Sequence, residues 1–205
     1  MIRESTFGQR LLRAVDVVSY GRGDDRRRQA MFQSALVAAL RTAAAAAGLC
    51  WDRWTWERAG DGGLALLPPD EPAPLVVDDF VRALDRTLAW LNRDLKRNAR
   101  LRLRVAIHRG TAFPAENGWA GRGVVAVSRL LDSAPIRRAL AAADSCNLAV
   151  IVSSRTFDDV VRPGHVSLRE ADFRKVTVTV KEYSAEAWLR VPGLRPDEMV
   201  ADEAG

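Results

Sequence analysis

The sequence predicts a single mixed α/β (α+β) domain folded around one sheet, and three observations point there. Apolar runs of strand length alternate along the chain with two longer segments whose apolar residues recur at helical spacing. Two short strand-like runs within 49–67 are separated by a glycine-rich turn and sit between the two helical segments, the mark of a hairpin set into an α/β order. No internal repeat and no shift of composition divides the 205 residues, a length that a single sizeable core accommodates.

Taken in order, residues 11–18 (LLRAVDVV) are an apolar strand holding one acid, Asp16, and a carboxylate inside a central strand needs a partner. Residues 26–48 place Phe32, Leu36 and Leu40 on one helix face and close at Gly48, a C-cap position. Residues 49–58 (LCWDRWTWER) alternate, with Trp54 and Trp56 on one side and Arg53 and Thr55 on the other. The chain returns at 64–67 after Ala59-Gly60-Asp61-Gly62-Gly63, so the hairpin carries Asp61 at its tip. Residues 68–74 are a surface loop, and 78–96 a second amphipathic helix with Phe80, Leu84, Leu88, Leu91 and Leu95 facing inward.

Residues 101–108 (LRLRVAIH) alternate as a strand, 110–116 lead into a loop, and a helix from 124 to 131 runs on or restarts as far as 143. Residues 148–152 (LAVIV) are a buried strand, 175–181 and 187–191 a closing antiparallel pair. The organisation expected is an extension at 1–10, one domain over 11–192 and a flexible, acidic tail at 193–205. This order fits a ferredoxin-like βαββαβ core with extra C-terminal strands and helices over one face.

Composition narrows the functional classes. No run of about 18 apolar residues occurs and the N-terminus lacks a signal-peptide core, so a soluble cytoplasmic protein with no membrane partner is expected. Cys50 and Cys146 lie far apart, with no histidines at zinc-ligand spacing, and read as small buried hydrophobes. The net charge of +5 admits a polyanionic partner, a nucleoside triphosphate or a nucleic acid. The Arg26-Arg27-Arg28 run is offset by Asp24 and Asp25. An RNA-binding domain on this core would stack bases on central-strand aromatics; residues 101–107 offer Arg102 and Arg104 but no aromatic side chain, so no nucleic acid is expected.

The chemistry converges on two carboxylates. In this topology the end of the first strand and the tip of the hairpin are neighbours, so Asp16 and Asp61 come together. Paired carboxylates repel unless a cation lies between them, which points to two Mg²⁺ or Mn²⁺ ions able to grip a triphosphate. Gly60 and its neighbours, and Gly21 after the first strand, allow backbone amides to approach phosphate. His108 reads as a structural, hydrogen-bonded group, Trp51, Trp54 and Trp56 as core or dimer-interface residues, and Trp188 as core.

The segments AVDVVSYGRGD (14–24), ERAGDGGLAL (57–66), RLRVAIHRG (102–110), GWAGRGVVAVSRLLDSA (118–134) and VTVKEYSAEAWL (178–189) resemble, in order, the landmarks of class III nucleotidyl (adenylyl/guanylyl) cyclase catalytic domains. The AGDGG turn and the later segment fit that pattern better than the GGDEF of diguanylate cyclases. The resemblance implies a cyclase-type domain over 11–192 that converts a nucleoside triphosphate to a 3′,5′-cyclic nucleotide and pyrophosphate for signalling. It implies that Asp16 and Asp61 ligate two metal ions, that Arg129 is the transition-state arginine, and that the protein is a homodimer with two head-to-tail composite sites. Base-reading positions fall at Glu57 and Gly118, and the phosphate-binding lysine finds a counterpart in Lys181, two residues early, with Tyr183 at the matching place and Lys175 as another candidate.

A carboxylate at 57 accepts from guanine N1–H and its amino group, and equally from uracil N3–H or the cytosine amino group. Gly118 offers no second polar contact, and bacterial antiphage pyrimidine cyclases resemble this family too, so the base is left open between guanine and a pyrimidine. The family's asparagine, however, falls at Val125, which cannot hydrogen-bond. That departure supports the alternative of a catalytically inactive cyclase-homology domain acting as a nucleotide-binding or protein-interaction regulatory module.

Overall fold

The computed structural model describes residues 8–18, 26–116 and 118–200, without the side chains of 26–29. Its strands are β1 (Gly8–Val17), β2 (Thr55–Ala59), β3 (Gly62–Leu66), β4 (Leu103–Ala115), β5 (Gly118–Ala120), β6 (Leu148–Ser153), β7 (Arg174–Val180) and β8 (Tyr183–Arg190). Its α-helices are α1 (Arg26–Ala46), α2 (Ala73–Val77), α3 (Asp79–Asn92), α4 (Arg122–Asp132), α5 (Ala134–Ala142) and α6 (Ser154–Val160). The sheet runs β2-β3-β1-β4-β6-β8-β7, with β5 paired to the far end of β4. β1 lies antiparallel between β3 and β4, β4 and β6 are parallel, and β1-α1-β2-β3-α3-β4 is the expected ferredoxin-like core.

Helices cover both faces rather than one. Alternation sends Leu11, Val15 and Val17 of β1 and Leu103, Val105 and Ile107 of β4 toward Leu36 and Leu40 of α1 and Phe80, Leu84 and Leu88 of α3. It sends Leu12, Ala14, Ala106 and Ile151 toward Val127 and Leu130 of α4 and Ile136 and Leu140 of α5. Strands buried on both faces read as near-continuous apolar runs, as 148–152 and, but for Arg13, 11–15 do.

Each face also encloses an arginine. Arg13 of β1 is fully buried toward α3, its guanidinium 4.7 Å from the Trp54 ring centroid and 4.5 Å from that of Phe80. None of its side-chain nitrogens has a hydrogen-bond partner among the described residues, and burial lowers its pKa to about 9. Arg102, equally buried beside α5, donates to the carbonyls of Leu140, Ala143 and Cys146 at 2.6, 2.6 and 2.8 Å.

Several boundaries differ from expectation for local reasons. The second helix ends at Asn92, not 96, because the Asn92 side chain accepts from Leu101 N and donates to Leu101 O, bending the chain back into β4 and leaving Leu95 exposed rather than inward. β4 continues through the loop expected at 110–116, where its end pairs with β5. Ser133 interrupts the α4–α5 run with extended backbone, and Pro135 starts the new helix. Residues 51–53 are a 3₁₀ turn, not strand, while α2 and α6 were unforeseen; Ser153 caps α6 by accepting from Thr156 N. Cys146 is buried as expected, but Cys50 is exposed. Beyond Gly193 the chain packs as far as Met199, which is buried and whose carbonyl accepts from Arg174 Nη1 at 2.6 Å. Among the described residues no helix is long and apolar enough to cross a membrane.

Candidate functional site

The corner where β1 ends is assembled by close backbone approach. Asp16 is in register with Arg104 of β4, and its carboxylate is ion-paired with that guanidinium, both side chains lying partly buried. On the other side, Val15 pairs with Gly63. A Cβ on the neighbouring Gly62 would lie 1.8 Å from the Val15 carbonyl oxygen and 2.8 Å from Asp16 Cα, so only glycine fits. The turn between β2 and β3 is Gly60-Asp61, with Gly60 at φ +54, and Gln33 of α1 donates to the Gly60 carbonyl at 3.1 Å. Asp61 is therefore presented at an exposed tip directly beside the end of β1 that carries Asp16. Gly21 lies outside the described residues.

Glu57 and Gly118 also meet. A Cβ on Gly118 would fall 2.7 Å from Glu57 Oε2, and Gly118 adopts φ +108, so the bare backbone makes room for that carboxylate. Strand alternation places Asp16, Arg104 and Glu57 on the α4 side of the sheet, since Trp56, Val15 and Val105 pack on the opposite side.

Arg129 is on α4, partly buried, one helical turn beyond Val125, whose side chain is 51 % exposed. Lys181 occupies the two-residue turn of the β7–β8 hairpin at φ 54. That turn lies beyond the end of β6, since Ser153 pairs with Ala187, whereas Asp16 lies where β4 and β6 begin. Within one chain Lys181 and the aspartates are thus at opposite ends of the sheet. Lys175, the other candidate lysine, is ion-paired with Glu186 at 2.6 Å.

His108 is structural in its contacts: Nδ1 meets Ser153 Oγ at 2.8 Å, and Ser153 Oγ in turn meets Thr156 Oγ1 at 3.0 Å. Burial first, and Arg155 second, lower its pKa to about 4, so the ring is neutral near pH 7. Trp54 is buried against Phe80 of α3, Trp51 packs against both Trp54 and Trp56, and Trp188 is buried against a stacked Phe157.

The site residue that sequence reasoning missed is Arg104. Its signal was available: a charged residue facing the same side as Asp16 in a neighbouring central strand, where one buried-strand charge calls for another. Among the described residues no three His, Cys, Asp or Glu side chains gather as a self-sufficient metal cage. Two carboxylates suit ions that keep water and phosphate oxygens as their other ligands, as Mg²⁺ does.

No family model matches the sequence, and no curated protein matches it. Solved structures do. The adenylate/guanylate cyclase/hydrolase from Silicibacter pomeroyi matches with a TM-score of 0.62 at 20 % identity, over 92 % of this chain and 99 % of that one. Guanylyl cyclase Cya2 matches with a TM-score of 0.63 at 16 % identity, over 97 % of this chain and 99 % of that one. The fold is that of the adenylyl and guanylyl cyclase catalytic domains. A third such domain, the guanylate cyclase domain of RhGC from Catenaria anguillulae in complex with GTP, matches with a TM-score of 0.53 at 14 % identity, over 89 % of this chain and 95 % of that one. What the cyclase domains share with this chain at these identities is architecture across nearly its full length, which bears out the sequence resemblance at the level of fold.

Proposed function

We propose that this protein is a homodimeric nucleotidyl cyclase that converts a guanine or pyrimidine nucleoside triphosphate to its 3′,5′-cyclic nucleotide, a lyase reaction serving signalling, with antiphage defence as the setting its resemblance suggests. The observation that carries the reading is the approach of Gly62 to Asp16, which puts the Asp61 turn and the Asp16 carboxylate at one corner. Asp16 and Asp61 would hold two Mg²⁺ or Mn²⁺ ions. When bound, such ions neutralise triphosphate charge and favour the ionised 3′-hydroxyl.

The chain's own residues do the rest. Arg104 holds Asp16 in place, and a guanidinium so positioned can turn to phosphate oxygens when the carboxylate takes another cation. Glu57, an acceptor beside the open backbone of Gly118, reads a ring N–H or exocyclic amino group of the base. Arg129 stabilises charge developing on the reacting phosphate. Because Lys181 and the aspartates occupy opposite ends of one chain's sheet, a head-to-tail pair lets one protomer supply the aspartates and its partner the cations Arg129 and Lys181. The test is incubation of the purified protein with Mn²⁺ and each of ATP, GTP, CTP and UTP, with mass detection of cyclic products. One base-selective product, absent from Asp61→Ala, is expected; a folded dimer that cyclises none of the four overturns activity.

Val125 favours a second reading. It exposes an apolar side chain one turn before Arg129, where a hydrogen-bond donor would be needed, and loss of one such group typically lowers rate by about 10²–10³-fold. A regulatory domain that binds nucleotide without turnover is then expected to show metal-dependent thermal stabilisation by a triphosphate and no product.

A further inference from the structure

We propose that the C-terminal end of α3 and the segment leading into β4 form a peripheral docking surface for an anionic lipid bilayer, a property independent of the cyclase reading. Trp90 of α3 is 64 % exposed, and Leu95, just past the helix, is 40 % exposed. Around them stand Arg86 and Arg93, at helical spacing with Trp90, followed by Lys96 and Arg100.

The presentation is built into the fold. Asn92 fastens the end of α3 to Leu101 and, at 2.8 Å, to Asn147 Oδ1, while Arg100 Nε donates to the Leu95 carbonyl at 3.1 Å. Leu95 is held outward by these bonds, in a segment whose apolar period would otherwise turn it toward the core. Asp94 and Asp144 are each ion-paired within this region, to Arg93 and Arg97. Lys96 and Arg100 have no ion pair among the described residues and Arg86 has only the through-space attraction of the partly buried Asp85, so the cations outnumber the acids beside two apolar side chains.

An indole and a leucine flanked by long cationic side chains match the headgroup boundary of an anionic bilayer, where tryptophan sits with its ring in the interface and arginine and lysine reach phosphates. Single-stranded nucleic acid is the poorer match. The guanidinium of Arg93 lies over the Trp90 ring, 4.6 Å from its centroid, leaving one face free, and residues 86–100 hold no second aromatic side chain on which a successive base could stack.

The experiment is sedimentation of the full-length protein with phosphatidylcholine vesicles and with phosphatidylcholine–phosphatidylglycerol vesicles, at low and high salt. Binding to the anionic vesicles alone is expected, reversed by salt, with indole fluorescence quenched by brominated lipid. Trp90→Ala should abolish that quenching, and Lys96→Gln should weaken partitioning about fivefold, the contribution of one cation near such a surface. Both side chains are exposed, so unchanged melting temperatures verify the fold of the variants. Equal binding to neutral vesicles, no binding to either, or anionic binding indifferent to both substitutions overturns the proposal. So does Trp90-dependent capture of an oligonucleotide or an acidic peptide by a protein that ignores vesicles.

Discussion

The two faces of the sheet are made of different material. Toward α1 and α3 the strands present valine, leucine and isoleucine against an aromatic cluster, and the strand charge enclosed there, Arg13, meets rings and no hydrogen-bond acceptor among the described residues. Toward α4 and α5 the same strands present Ala14, Ala106 and Ala149, and the buried charge, Arg102, is spent on three carbonyls. That second face also carries Asp16, Arg104 and Glu57. The first face supplies stability through burial, and the second, with its smaller side chains, leaves room for polar groups to be held in defined places.

The largest effect that would break this comparison lies in the aromatic cluster. Trp54→Ala should cost about 3–5 kcal/mol in urea unfolding, the loss for a buried aromatic, while the base preference of any cyclic product stays unchanged. A shift in base preference would mean the faces are not separate in role.

Next comes acid sensitivity, which belongs to the α4 side. The pKa of His108 falls from 6.5 to about 4 on folding, so between those values the unfolded chain takes up a proton that the native state refuses. Stability is therefore fully present above pH 6.5 and declines as pH drops toward 4, by about 3 kcal/mol in all. Chemical denaturation across that range should show the decline in the wild type and a flatter profile in His108→Gln.

Arg13→Met should act in the opposite direction. Replacing a buried charge that lacks polar partners with an apolar chain of similar length is expected to stabilise the fold by about 1–3 kcal/mol, read as a higher urea midpoint. A loss of stability would show that its ring contacts outweigh its desolvation. The smallest change in stability falls to Gly118→Ala, which imposes a strained φ and a Cβ 2.7 Å from Glu57 Oε2. It should cost about 1 kcal/mol in stability. Its sharper readout is base selectivity, expected to drop about tenfold as one hydrogen bond to the base weakens.

Much of this was legible in the residues. Period-two alternation at 101–108 and the apolar runs at 11–15 and 148–152 marked the central strands, and the glycines flanking Asp61 marked a turn that must approach another backbone. Two helical layers were harder to read, because a strand buried on both sides has no polar face to reveal which helices cover it. The end of α3 was illegible from period alone: Leu95 continues the apolar spacing, and only the side-chain bonds of Asn92 across to Leu101 stop the helix. The pairing of Asp16 with Arg104 was legible only in part: a charge in a central strand called for a partner, but the register that joins these two lies between strands distant in sequence, which local patterns do not encode.

β1, the earliest of the described strands, lies inside the sheet between β3 and the central strand β4. Leu12 finds its two partners in Leu66 and His108, so β1 is enclosed only once β4, far along the chain, has been made. Helix α1 can begin to form locally, but the strand that carries Arg13 and Asp16 must wait with both edges unpaired. Such long-range pairing sets a slow folding rate and leaves an apolar edge exposed to other chains meanwhile.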